Sequence, residues 1–537
     1  MIFVVDFGSQ TAHLISRRIR EFGVETKVVS PEDAYEKAKR EKPKGIILSG
    51  GPSSVYEKGA PTIDKQIFDL GIPILGICYG LQLAAHLLGG KVVSGKKEYG
   101  PATIKFNPRL NRGQSSKFKV TKDLPKSFVV WMSHGDEVVS LPKGFETIGS
   151  TEHVPFAFVE DKKRNIIGLQ FHPEVEHTQH GLQLLKNFVD LCIIGDDSNI
   201  RGKIKNQKSK IKSTIQNSKI GNINVKEIEK EIKEIVGRSY VIGAVSGGVD
   251  STVAGVLTAR AIGKRFIPIY VDNGLMREGT KEHVEKIFKN IDMKPILVNA
   301  VGEMLRLLKG VTDSEEKRKV IGNFYIEIFE KEMQKLLAKK LPVRHLLQGT
   351  IYSDVIESQG TKHSAKIKSH HNVGGLPKDM KLKLLEPLRF FYKDEVRQVG
   401  RLLGLPEEFI NRQPFPGPGY AIRIRGEVTK ERLAMEKTAD EIVLEELKKT
   451  KLLDKIFLSF PVLTGAFSTA VKGDGRNFGE VVALRIIESQ DVMTAKWAYV
   501  SYEVLQKISS RIVNEVPNVS RVVYDITTKP PATMEWE

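Results

Sequence analysis

Two kinds of segment alternate along most of this chain. Short apolar runs, Met1–Asp6, Ile46–Pro52, Pro73–Ile77, Tyr240–Val245 and Arg265–Val271, are too apolar to have a solvated face, which is the pattern of strands covered on both sides. Among and after them lie helical patterns: Leu81–Leu88, Leu185–Cys192, and Val225–Val236, where Val225, Ile228, Ile232, Ile235 and Val236 line one helix face. Strand and helix in turn predict α/β architecture with doubly wound parallel sheets. Beyond about residue 412 the order of elements reads as an α+β tail, with apolar strands such as Val522–Ile526. No solenoid-type repeat is present.

The turn behind Tyr240–Val245 is Ser246-Gly-Gly-Val-Asp-Ser-Thr252. Two glycines let backbone N–H groups close around phosphate oxygens, the serine hydroxyls add donors, and Thr252–Leu257 begins a helix whose positive end faces the anion. No Gly-Lys-Ser/Thr follows at Walker spacing. A Ser-Gly-Gly turn can be a structural bend. Against that, Val271-Asp-Asn-Gly274 closes the next apolar run one strand-helix-strand unit later, at the same sheet edge. Ser246, Gly247, Gly248, Val249, Asp250, Ser251 and Thr252 are therefore expected to bind ATP phosphates.

A second chemistry lies upstream. Pro73–Ile77 ends at Cys78-Tyr-Gly80, and Gly76 and Gly80 flank Cys78 at two positions either side. That is the spacing of a nucleophile elbow, in which small neighbours relieve crowding while the nucleophile stands at a helix N-terminus, a position that favours thiolate. A thiolate needs a base and an orienting acid; His172 and Glu174, two apart in an extended segment, offer both. The Gly-Gly turn after Ile46-Ile-Leu-Ser49 suggests an oxyanion hole made by the N–H groups of Gly51 and Tyr79. Lone cysteines are usually small core hydrophobes, and Cys192 fits that description, since nothing near it in sequence would activate a thiol.

The chain has 537 residues, enough for three or four domains, and two cysteines, which exclude a disulfide framework. No run approaches a membrane span and no cleavable signal precedes the first strand, so a reducing cytoplasm is expected, which keeps Cys78 reduced. The net charge of +18 suggests anionic partners, which nucleotides satisfy as readily as nucleic acid. Part of it sits in Arg201–Ser213, a lysine-rich run read as a solvated linker because it lacks the aromatics and arginines of a nucleic-acid arm. A first boundary is placed near residue 200.

The elbow Gly76–Gly80 with Gln82, the Gly50-Gly-Pro52 turn and His172-Pro-Glu174 resemble class I glutamine amidotransferases, and the Ser246–Ser251 loop resembles that of ATP pyrophosphatases. With Trp131–Asp136, Gln348–Thr350, Ile367–Pro377, Gln413–Gly419, Ser489–Thr494 and Lys529–Glu537, the whole chain resembles the glutamine-hydrolysing GMP synthetase family. The resemblance implies a class I glutaminase domain over 1–199, a doubly wound ATP-pyrophosphatase domain with its basic linker over 200–412, and an α+β C-terminal dimerisation and acceptor-binding domain over 413–537.

It also implies glutamine, ATP and xanthosine 5′-monophosphate (XMP) as substrates, Mg²⁺ on the phosphates with ligands unspecified, a homodimer, and neither nucleic acid nor membrane as partner. Glutamine would meet Gln82, Ser133, His134 and Asp136, the last suited to its ammonium. XMP would meet Arg318, Asp474, Arg476, Lys529 and Glu535, with Lys368 on a lid. Ser353 and Lys496 depart from the family pattern at positions without a proposed chemical role, and the linker is longer and richer in lysine. A tRNA-modifying ATP pyrophosphatase would use the same loop but predicts an RNA-binding module or sulfur-carrying cysteines, which the sequence lacks. A non-catalytic nucleotide-binding scaffold is opposed by the intact Cys78, His172 and Glu174.

Overall fold

The computed structural model describes residues 1–9, 11–107, 119–194, 223–352, 354–355, 382–472, 475–489 and 491–537. Lys368, Asp474, Ser353 and the run Arg201–Ser213 fall outside them. The first unit contains β1 (Ile2–Val5), α1 (Ala12–Glu21), β2 (Thr26–Val29), α2 (Ala34–Glu41), β3 (Gly45–Leu48), β4 (Ile74–Ile77) and α3 (Tyr79–Leu87). It continues with β5 (Lys91–Phe106), β6 (Ser127–Ser140), β7 (Glu146–Ser150), β8 (Phe158–Asp161), β9 (Ile166–Leu169) and α4 (Gly181–Ile194). Nine strands form one sheet in the order β2-β1-β3-β4-β9-β8-β7-β5-β6. The first five are mutually parallel, and every residue of β1, β3, β4 and β9 is buried, as their unbroken apolar sequences require.

The second unit holds α5 (Val225–Val236), β10 (Tyr240–Ala244), α6 (Val249–Ile262), β11 (Phe266–Asp272), α7 (Thr280–Lys289), β12 (Ile296–Asn299), α8 (Val301–Leu307), α9 (Ser314–Ala338), β13 (Val343–Leu347), β14 (Lys383–Leu385), α10 (Lys393–Leu402) and α11 (Glu407–Ile410). Its five strands are all parallel in the order β12-β11-β10-β13-β14. From β10 the chain winds outward to β11 and β12, then returns to β13 on the other side. The switch point lies between β10 and β13, where an open parallel sheet leaves a crevice at its carboxyl edge. On α5, Ile228, Ile232 and Val236 are buried, while Ile235 faces solvent.

The third unit comprises α12 (Lys430–Lys449), β15 (Leu458–Lys472), β16 (Gly475–Glu488), β17 (Lys496–Trp497), α13 (Tyr502–Glu515) and β18 (Val519–Tyr524). β16 pairs antiparallel with β15 and β17 and parallel with β18, giving the α+β arrangement expected for the tail. One apolar core runs from Ile242, Ile269 and Leu346 of the second sheet through Phe324 and Ile328 of α9 to Ile442, Leu484 and Ile512 of the third unit. The first unit keeps cores of its own on the two faces of its sheet. It meets the others through the small cluster Leu14, Trp131, Val175 and Met493 and through polar contacts of α1, including Arg17 to Asp394 at 2.5 Å and His13 Nδ1 to the Tyr352 hydroxyl at 2.6 Å.

Candidate active sites

Cys78 sits between β4 and α3 with φ 48° and ψ −106°, a left-handed conformation uncommon for a residue with a side chain. The turn closes because Gly80 has none: a Cβ there would lie 2.3 Å from the Leu48 carbonyl oxygen. Strand β9 lies beside β4, and the chain beyond it carries the histidine back to the thiol. Cys78 Sγ lies 3.2 Å from His172 Nε2, and His172 Nδ1 lies 2.7 Å from Glu174 Oε1. Burial disfavours charge on the imidazole, but the negative charges of Cys78 and Glu174 and their hydrogen bonds outweigh it and hold His172 well above the usual histidine range. His172 can therefore keep its proton while it faces the thiol.

The Gly50–Gly51 turn after β3 lies directly against this pair, since a Cβ on Gly50 would approach His172 Cε1 to 3.2 Å and Cys78 Cβ to 3.9 Å. Gly51 packs on Tyr79, where a Cβ would stand 3.3 Å from the Tyr79 ring. Of the two residues expected to supply oxyanion donors, Gly51 thus packs on Tyr79, which opens α3 directly after Cys78. Cys192 lies buried in α4, where burial pushes its thiol up, as expected of a core cysteine.

Three of the four residues expected around glutamine gather beside the elbow. Gln82 on α3 donates from Nε2 to the Asp136 carbonyl at 2.8 Å, and His134 Nδ1 lies 3.1 Å from the same oxygen. The Asp136 carboxylate accepts from the Tyr56 hydroxyl at 3.0 Å. Ser133 alternates with these residues on β6, so its side chain leaves the other face of the strand.

In the second unit, Ser246–Thr252 forms the turn from β10 into α6, with Gly247 at φ 82° and the Ser246 and Ser251 hydroxyls 3.0 Å apart. Gln348-Gly-Thr350 follows β13 on the other side of the switch point. Gly349 touches the loop so closely that a Cβ would stand 2.7 Å from the Ser251 nitrogen. Among the described residues, the hydroxyls of Thr252 and Thr350 are buried without hydrogen-bond partners. Asp250 is paired with Lys393 at the start of α10, through both oxygens at 2.7 and 2.6 Å. Ser246, Ala244 and Val271 also line a small pocket with Met276, Tyr325 and Phe329.

The residues expected around XMP are only partly assembled. Arg318 on α9 donates to Glu315 Oε1 at 2.8 Å and to the main-chain oxygen of Glu537. Lys529 Nζ donates to the Val492 carbonyl at 2.8 Å, and the Glu535 carboxylate is held by the buried Arg423 through two contacts of 3.2 Å. The chain end therefore returns to α9, bringing its last residue to Arg318. Arg476 stands exposed at the start of β16, and no described contact joins it to Arg318, Lys529 or Glu535.

Sequence reasoning missed Lys393, Tyr56 and Arg423. Lys393 is 143 residues from Asp250, so no local spacing announces the pair. Tyr56 follows the glycine turn by a few residues and carries only a generic loop signal. Arg423 falls just past Gln413–Gly419, in Ala421-Ile-Arg-Ile-Arg425, where local sequence does not tell it from the exposed Arg425 two positions on.

Family models match three stretches: glutamine amidotransferase class-I over residues 3–192, NAD synthase over 219–342, and GMP synthase C terminal domain over 445–536. Three curated proteins, each called GMP synthase (glutamine-hydrolyzing), align with the entire chain. That of Aquifex aeolicus is 49% identical over 537 residues, covering 100% of this chain and 99% of the relative. Those of Nitratiruptor and of Clostridium botulinum strain Langeland are each 48% identical, over 539 and 541 residues, with the same coverage.

Proposed function

Because the chain belongs to the family of glutamine-hydrolysing GMP synthases, we propose that it aminates XMP to GMP with glutamine as nitrogen donor and ATP as driving force. Cys78 attacks the glutamine amide carbon, His172 protonates the departing ammonia, and Glu174 holds the imidazole. The N–H groups of Gly51 and Tyr79 stabilise the oxyanion, and Gln82, His134 and Asp136 line the glutamine pocket. Water then hydrolyses the thioester to glutamate, with His172 as base. The observation that carries this half is the strained Cys78 with His172 at 3.2 Å and Glu174 behind it at 2.7 Å.

In the second unit, the loop Ser246–Thr252 holds ATP while AMP is transferred to the XMP C2 oxygen and pyrophosphate leaves; ammonia then displaces AMP. The crevice at the β10/β13 switch point supports this placement. Mg²⁺ would screen the crowded phosphate charge, and the carboxylates of Asp250 and Asp272 at that edge are oxygen donors of the kind it takes. Arg318, Asp474, Arg476, Lys529 and Glu535 are proposed for XMP, and Lys368 for a lid.

We take the domains as 1–199, 200–412 and 413–537. The third unit exposes Val471, Tyr499 and Tyr502 together with Phe467 and Phe478, whose rings stack at 5.7 Å, which supports a homodimer through this face. No described helix is long and apolar enough to cross a membrane, and a reducing cytoplasm suits the free Cys78 thiol. The deciding experiment supplies glutamine, ATP, Mg²⁺ and XMP and follows GMP, AMP, pyrophosphate and glutamate in equal amounts. Glutamate release without GMP would reduce the chain to a glutaminase and overturn the reading.

A further inference from the structure

The segment that carries Glu174 runs on into the third unit. Two residues further, the Glu176 main-chain N–H donates to Asp491 Oδ2 at 3.2 Å, and His177 Nδ1 lies 2.8 Å from the Thr494 hydroxyl. Both partners stand in the turn between β16 and β17. The Asp491 carboxylate can only accept, and the Thr494 hydroxyl, 3.2 and 3.1 Å from its two oxygens, has one proton to give. With that proton directed to Asp491, Thr494 accepts from His177 Nδ1–H, so the three groups form a directed chain across the contact.

The turn that receives this chain is firmly built. Asp491 Oδ1 also accepts the main-chain N–H groups of Met493 and Thr494 at 2.9 and 2.8 Å, and Lys529 donates to the Val492 carbonyl. Val492 stands at φ 64°, a left-handed conformation that a β-branched residue keeps only where its surroundings over-determine it.

On the other side, His177 packs on the buried Trp131, ring centres 4.7 Å apart. The Trp131 carbonyl accepts the His172 N–H at 3.1 Å. The Trp131 N–H donates to the Thr178 hydroxyl, which donates in turn to the His172 carbonyl. Trp131 and Thr178, the two residues that hold the main chain of His172, are therefore the neighbours of His177 in space and in sequence.

We propose that Asp491, Thr494 and His177 are positioning residues for glutamine hydrolysis, the third unit supplying the seat that keeps His172 and Glu174 at working distance from Cys78. None of the three touches the reacting atoms. The inference rests on the reading of Cys78 as the glutaminase nucleophile.

The test follows glutamate release by the full chain, with glutamine, ATP, Mg²⁺ and XMP present, for Asp491→Ala, Thr494→Val and Thr494→Ser. A displaced His172 slows bond-making and leaves the glutamine pocket intact, so kcat should fall about thirtyfold in Asp491→Ala and about tenfold in Thr494→Val, with KM within about twofold. Thr494→Ser keeps the hydroxyl and should restore kcat to within about twofold of wild type. Ammonia-driven GMP formation, which needs no thiol, should stay within about threefold in all three. An unchanged kcat would make the contact a docking point, and a change confined to KM would assign it to glutamine binding; either overturns the proposal. Should Asp491→Ala also lose ammonia-driven formation, the Thr494 pair decides, and equal kcat in its valine and serine variants overturns the proposal. A wild-type chain that fails to hydrolyse glutamine overturns the underlying glutaminase reading instead.

Discussion

At Cys78 the reacting groups already stand at working distance, whereas around Ser246–Thr252 and the chain end the charged groups are paired with one another. His172 is 3.2 Å from the thiol and Glu174 is 2.7 Å from His172. Asp250, by contrast, is paired with Lys393 and Glu535 with Arg423, while Lys529 donates to a main-chain carbonyl. The difference follows from the size and charge of what each site must bind. Acyl transfer from a small amide gains from a fixed, buried geometry. Two nucleotides bring many charges, and a crevice that held its own charges unpaired before they arrived would bear that cost while empty.

The sharpest test of this contrast is Cys78→Ala. Glutamine-dependent GMP formation should fall by at least about 10⁴-fold, while ammonia-dependent formation under saturating ammonium persists. Loss of both activities in a folded variant would mean that the centres are not separable. Next is Asp250→Asn, which leaves Lys393 without its carboxylate. XMP-dependent pyrophosphate release should drop about a hundredfold, while Cys78 still reacts with a glutamine-like electrophile. Unchanged release would remove the loop from the phosphate site.

A smaller effect is expected at the chain end. Lys529→Ala should weaken XMP by about 2 kcal/mol, tens-fold in affinity, and leave ATP nearly unaffected, as separate titrations would reveal. Glu535→Ala should add a loss of about 3 kcal/mol in stability, because it strips a carboxylate from the buried Arg423. Denaturant midpoints would separate the two effects, and a change confined to ATP would take the tail out of the acceptor site.

The smallest change concerns pH. His172 is raised above its usual range, so its proton persists until pH climbs through that elevated value, and glutamine hydrolysis should decline as pH passes it. Glu174→Gln removes one of the charges responsible and should move the alkaline limb to lower pH. A limb that stays in place in the pH–rate profile would show that Glu174 does not set the ring's charge.

The Cys78 centre was legible in the sequence as two short-range pieces, joined across 94 residues only by the pairing of β4 with β9. Gly76, Cys78 and Gly80 lie within one turn, and His172 and Glu174 within three residues, so local spacing determines their relation. Ser246–Thr252 was legible for the same reason. His177 and Thr494 were not matched by any spacing rule, since they lie 317 residues apart in different units. Lys393, the partner of Asp250, and Arg423, the partner of Glu535, depend on helix and loop placement across more than a hundred residues. Propensity and periodicity cannot see such pairs.

The apolar core shared by the second and third units has a thermodynamic consequence. Elements buried in one core melt in one step, so the strands β10, β11 and β13 and the chain end that returns to α9 belong to a single cooperative block. The first unit carries separate cores and meets that block through a four-residue apolar contact and scattered polar ones. Heat or denaturant can therefore silence ammonia supply and nucleotide chemistry at different thresholds. Damage to α9 would take adenylation and acceptor binding down together.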